Sequence, residues 1–118
     1  MNLKDFIFRK NNSDDIIRKL IEKACQVLIE EKKFPAHVCF DIPNSSYLAH
    51  IFLTKDLIHE DEWRLQVGVM EDGYDKMFSI FLNHDMKENL LELLKSSQIK
   101  NEIFDSIKSL HVRAEQDD

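Results

Sequence analysis

The chain is poor in the residues that break secondary structure: its 118 residues include only two glycines and two prolines. Breaks are therefore few, and each one is informative. It has no internal repeat, no low-complexity stretch and no linker. The expectation is a single domain over 1–118, with 1–12 and 113–118 frayed at its ends. Cysteine is scarce too. Cys25 and Cys39 form neither a CxxC pair nor a zinc spacing, so reduced, partly buried thiols are expected. No apolar run approaches the ~20 residues of a membrane span. The N-terminal MNLKDFIFRKNN lacks the apolar core of a signal peptide. The sequence thus predicts a soluble, cytoplasmic protein with no membrane partner.

Basic charge is also in short supply, with 16 Lys and Arg against 22 Asp and Glu and a net charge of −6. The densest basic group, Lys32-Lys33, follows directly on Glu30-Glu31. Nucleic-acid binding depends on clustered Lys and Arg to neutralise phosphates, so no nucleic-acid partner is expected. An acidic surface instead steers encounter with a basic protein.

What is present is enough for one core: 43% of the residues are hydrophobic. Leu3, Phe6, Ile7 and Phe8 form an apolar cluster too short to assign. Asn11-Asn12-Ser13 offers an N-cap, followed by Asp14 and Asp15 where a helix dipole favours negative charge. A helix to about Lys33 is predicted, with Ile16, Ile17, Leu20, Ile21, Ala24, Val27 and Leu28 on one broad face. Pro35 stops it. Residues 36–42 then alternate as a strand, Pro43-Asn44-Ser45-Ser46 makes a turn, and 47–54 return. A tight pair would set Phe40 against Ala49, Val38 against Ile51 and Cys39 against His50.

A second hairpin is predicted at Asp72-Gly73, a favoured pair for a two-residue type I′ turn. That turn would place Glu71 opposite Tyr74, Val67 opposite Phe78, Leu65 opposite Ile80 and Trp63 opposite Leu82. Asp85-Met86-Lys87-Glu88 has capping-box form and opens a helix with Leu90, Leu91, Leu93 and Leu94. Ser96-Ser97 interrupts it. A last helix, from about Gln98 to Val112, groups Ile99, Ile103, Phe104, Ile107 and Leu110. The expected fold is α+β: an N-terminal helix, a four-stranded antiparallel sheet of two hairpins, and two C-terminal helices.

Four groups of residues are candidates for function. Cys39 and His50 form a cross-strand pair, with His37 and Asp41 diagonal to them. A thiolate beside an imidazole can be a nucleophile or half of a metal site. No oxyanion loop and no further cysteine accompany them, and a small hydrophobe beside a strand histidine explains them as well. His59-Glu60-Asp61-Glu62, with His84-Asp85, could attract a cation, but it lacks the pattern of a calcium loop or of HExxH. The third group is the second face of the sheet, with Leu48, His50, Phe52, Arg64, Gln66, Gly68, Met70, Met77, Ser79 and Phe81. It is half apolar, and it is either covered by a helix or a partner surface. The fourth is the acidic set Glu60, Asp61, Glu62, Glu71, Asp72 and Asp75. No catalytic residue, metal or cofactor is expected from these patterns.

The leading expectation is an acidic interaction protein: an inhibitor, immunity or antitoxin-like protein that occludes the cleft of a basic target such as a nuclease toxin. In small size, negative charge and lack of catalytic motifs the chain looks like bacterial toxin-immunity proteins. The contact residues expected on that reading are Glu60, Asp61, Glu62, Glu71, Asp72, Asp75, Met70, Met77 and Phe81. One alternative is a homodimer similar to secretion chaperones, which place a helix between their third and fourth strands; a tight turn over 71–74 leaves no room for one. Another is an enzyme or metal-binding protein using Cys39 and His50.

Overall fold

A computed structural model describes residues 3–31, 35–55, 63–73, 76–82 and 90–116; of 3–12, 55, 63, 90 and 91 it describes the backbone. Helix α1 (Leu3–Glu31) leads into strands β1 (Ala36–Asp41), β2 (Tyr47–Lys55), β3 (Trp63–Glu71) and β4 (Met77–Leu82). A single helical turn, α2 (Leu90–Leu93), precedes helix α3 (Ser97–Gln116). The four strands form one antiparallel sheet in the order β1-β2-β3-β4. The α+β class and the antiparallel sheet are as the alternation predicts.

Two expectations about the helices are corrected. The first is the start of α1. The helix does not begin at the Asn11-Asn12-Ser13 cap; it runs through it from Leu3. Leu3, Phe6 and Ile7 repeat the three- and four-residue apolar spacing of the later turns. The Ser13 hydroxyl accepts a hydrogen bond from Asn44 Nδ2 at 3.1 Å, so it ties α1 to the β1–β2 turn. The second correction is the pair of C-terminal helices. Among the described residues there is one long C-terminal helix, and of the other only the turn Leu90–Leu93 is described. The capping-box segment 85–88 lies outside the described residues. Ser96 does end that turn and start the next helix. Its hydroxyl donates to the Leu93 carbonyl at 2.8 Å and accepts from the Ile99 amide at 3.2 Å, which is N-cap geometry for α3. Residues 113–116 belong to helix α3.

The first hairpin has the expected register, Phe40 with Ala49, Val38 with Ile51 and Cys39 with His50. The second does not. Val67 pairs with Ile80, Val69 with Phe78 and Met70 with Met77, a slip of two residues from the tight-turn register. Only Gly73 of the Asp72-Gly73 pair has positive φ, at 86°, whereas a type I′ turn needs both. Asp72 is otherwise engaged: its amide donates to the Ser46 carbonyl at 2.9 Å, extending the β2–β3 pairing. A slip of two preserves which residues share a face, so burial does not distinguish the two registers.

Both long helices pack on one face of the sheet. The core joins Ile17, Ile21, Ala24, Cys25 and Leu28 of α1 to Ile99, Ile103, Ile107 and Leu110 of α3. Beneath them lie Ala49, Ile51, Leu53, Leu65, Val67 and Val69, all fully buried. Ile16, expected on the inner face of α1, is 45% exposed. Asp14 and Lys108, 2.9 Å apart, link the two helices at their outer edge. No helix among the described residues is long and apolar enough to cross a membrane.

Candidate functional site on the open sheet face

Successive residues of a strand point to opposite faces, so the same pairs that build the core define a second surface. It carries His37 and Cys39 from β1, Leu48, His50 and Phe52 from β2, Arg64, Gln66, Gly68 and Met70 from β3, and Met77, Ser79 and Phe81 from β4. No described element covers it. Phe81 is 45% exposed, Leu48, Phe52, Met70 and Met77 are half-buried, and Cys39 is exposed. This resolves one of the alternatives left by the sequence in favour of an uncovered face among the described residues.

The surface has two distinct ends. At the β3–β4 end it is apolar and adaptable. Met77 lies over Gly68, so that a Cβ built at Gly68 would stand 2.6 Å from its Sδ. The missing side chain of Gly68 thus makes room for the thioether. The Arg64 guanidinium sits 5.4 Å from the centre of the Phe81 ring, where the ring quadrupole attracts a cation. Gln66 Nε2 donates to Ser79 Oγ at 2.9 Å across the same strands. Of the expected contact residues, Met70 and Met77 face each other across these strands, and Phe81 stands four residues along β4 on the same face.

At the β1–β2 end the surface is a ring stack. His37 and Phe52, directly opposite in register, stack with centroids 4.2 Å apart, and His50 lies parallel to His37 at 5.0 Å. His37 Nε2 and His50 Nδ1 share a hydrogen bond of 2.7 Å. The expected Cys39–His50 cross-strand pair exists, but the hydrogen-bond partner of the His50 ring is His37. Burial, and secondarily the nearby His37 charge, lower the His50 pKa from its ordinary 6.5, so the ring is held neutral. The two thiols differ. Cys25 is inside, where burial pushes its pKa up to about 11, while Cys39 is exposed.

The acidic candidates are only partly placed. Glu71 and Asp72 stand at the β3–β4 tip, with Asp72 exposed and Glu71 near Ser46 at 3.5 Å. Glu60, Asp61, Glu62, Asp75, His59 and the His84-Asp85 pair lie outside the described residues. The sequence did not point to a cleft of about 360 Å³ between α1 and the start of α3. Part of its polar lining is internally paired: Arg18 donates to Asn101 at 2.8 Å, and Lys100 faces Glu22 at 3.9 Å. Residues 83 positions apart make this cleft, so no sequence pattern could announce it.

No protein-family model, curated protein or solved structure matches the chain.

Proposed function

We propose that this chain is a protein-interaction module, an inhibitor or immunity-type protein that neutralises a basic partner by covering its cleft. The observation that carries this reading is the open sheet face, on which Met70 and Met77 pair beside the acidic Glu71-Asp72 tip and Phe81 stands exposed further along β4. Methionines re-pack around irregular surfaces, and an exposed aromatic on the same face is a typical anchor for a partner. The net charge of −6 favours a partner of opposite sign, with steering that weakens as salt rises. A nuclease toxin, whose substrate cleft must be positive, has the complementary chemistry. Residues 71–76 remain too short a connection to hold a helix between the third and fourth strands, and this ranks the inhibitor reading above a secretion-chaperone-like one.

The test is recovery of the tagged chain from its native cells, with Met77→Glu/Phe81→Glu as the comparison. A stoichiometric basic protein is expected, dissociated by salt, lost in the double variant, and inhibited in its own activity when the wild-type chain is added back. A chain that is a stable homodimer through this face, or a bound protein whose activity the chain leaves untouched, overturns the reading.

A further inference from the structure

The β1–β2 end of the open face brings three metal-binding side chains together for geometric reasons. His37 and Cys39 are two residues apart on one strand, so both point to the same side. The antiparallel register then sets His50 opposite Cys39. One ligand atom from each of the three residues lies within 4.8 Å of the other two. One further observation points to a ligand rather than to packing: the 2.7 Å approach of His37 Nε2 to His50 Nδ1. Two neutral imidazoles at that distance share one proton between converging lone pairs, and a cation can take that proton's place.

We propose that His37, Cys39 and His50 form a mononuclear site for a borderline-soft divalent metal ion, zinc foremost, with one coordination position left open. Two imidazoles and a thiolate suit zinc or copper, whereas magnesium, calcium and manganese prefer oxygen ligands. Zinc–nitrogen bonds of ~2.0–2.1 Å and a zinc–sulfur bond of ~2.3 Å, arranged tetrahedrally, place the ligand atoms roughly 3.3–3.7 Å apart. The two nitrogens must therefore separate by about half an ångström, and the sulfur must swing inward. The side chains that have to move, His37 and Cys39, are exposed and sit on the edge strand β1, while the ligand that stays, His50, is buried. Three protein ligands with a free fourth position are the arrangement of a reactive or bridging zinc site, in contrast to a closed structural one. This site does not depend on the identity of any protein partner.

The experiment is titration of the reduced, metal-free full chain with cobalt(II), then zinc(II), followed by absorption. Cys39→Ser and His37→Ala, both at exposed positions, are titrated alongside, with circular dichroism verifying their fold. One cobalt per chain is expected, with a thiolate-to-cobalt charge-transfer band that zinc abolishes. Cys39→Ser loses the band, and His37→Ala weakens binding by roughly tenfold or more. Zinc also shields Cys39 from a thiol reagent in a Cys25→Ala background. A folded wild-type chain that develops no thiolate band, a band that survives Cys39→Ser, or one ion per two chains overturns the proposal.

Discussion

The two faces of the sheet are built by the same four strands and obey the same period of two, yet they have opposite fates. On the helix side, Ala49, Ile51, Leu53, Leu65, Val67 and Val69 are fully buried. On the other side, most residues one step along the same strands are half-buried or exposed, and the buried exceptions are His50 and Gly68. The difference follows from the supply of helices. Four strands spaced ~4.8 Å apart are roughly 19 Å wide, and two helices packed ~8–10 Å apart cover about that width. α1 and α3 each have one apolar stripe, and both stripes go to the same side. Even there the cover thins at the outer strand, where Ile80 is 39% exposed. A sheet of this width with two long helices has one covered face and one available face.

The contrast breaks if truncation on the two faces has equal cost. Ile51→Ala, at a fully buried position, is expected to destabilise by about 3–4 kcal/mol in urea unfolding, through lost burial and the cavity left behind. Phe81→Ala, at the 45% exposed position on the other face, is expected to cost less than about 1 kcal/mol. If Phe81→Ala costs as much as Ile51→Ala, the open face is covered in solution.

The next largest effect concerns the buried thiol. Cys25 is ordinarily ionised with a pKa near 9.0 in an unfolded chain, and burial raises that to about 11 in the fold. Its contribution is fully present below pH 9.0 and is lost as pH rises through 11, a change of roughly 2–3 kcal/mol. Denaturation curves for wild type and Cys25→Ala should diverge in stability across that alkaline window. An identical alkaline loss in the two proteins would place the thiol in contact with water.

On the open face the corresponding titration runs at the acid end. His50 binds a proton less readily in the folded, metal-free chain than its ordinary 6.5, so the unfolded chain takes up the proton first. The stability held by the neutral ring is complete above pH 6.5 and is lost as pH falls below it. Thermal unfolding of wild type against His50→Asn should show this acid loss in wild type alone. The smallest effect is expected at Gly68. A Cβ there meets the Met77 thioether, at the flexible end of a half-buried side chain, and Gly68 has no positive φ to protect. Gly68→Ala should leave stability within about 1 kcal/mol, because the gain from a strand residue with less backbone freedom offsets the displaced methionine. It should nevertheless weaken partner binding through the moved Met77. A large loss of folding stability would instead make the Met77–Gly68 contact part of the core.

The β1–β2 hairpin shows how much was legible. Its turn residues sit at a fixed offset, its apolar residues alternate strictly, and Cys39 faces His50 as the sequence implies. The β3–β4 hairpin shows the limit. Alternation fixes parity, and a slip of two residues keeps Leu65, Val67 and Val69 on the same face as Phe78, Ile80 and Leu82. The deciding contact, Asp72 to Ser46, comes from a different strand pair, which local turn chemistry cannot register. The candidate site was legible in the same uneven way. Cys39 and His50 pair as the sequence implies, and Met70, Met77 and Phe81 lie on the face that alternation assigns them. The rotation of His37 toward His50, and the burial that leaves His50 Nε2 unpartnered, depend on ring stacking with Phe52 and were not readable from spacing.

The sequence by itself determined the class of fold and the membership of each sheet face, because periods of two and 3.6 act over neighbouring residues. Tertiary structure alone decided that the helices share one side, that α1 runs through its internal cap, that the second hairpin is offset, and that the His37 ring meets His50. Each of those outcomes depends on contacts between segments far apart in the chain. Their energies add to the local preferences and, at Ser13 and Asp72, override them.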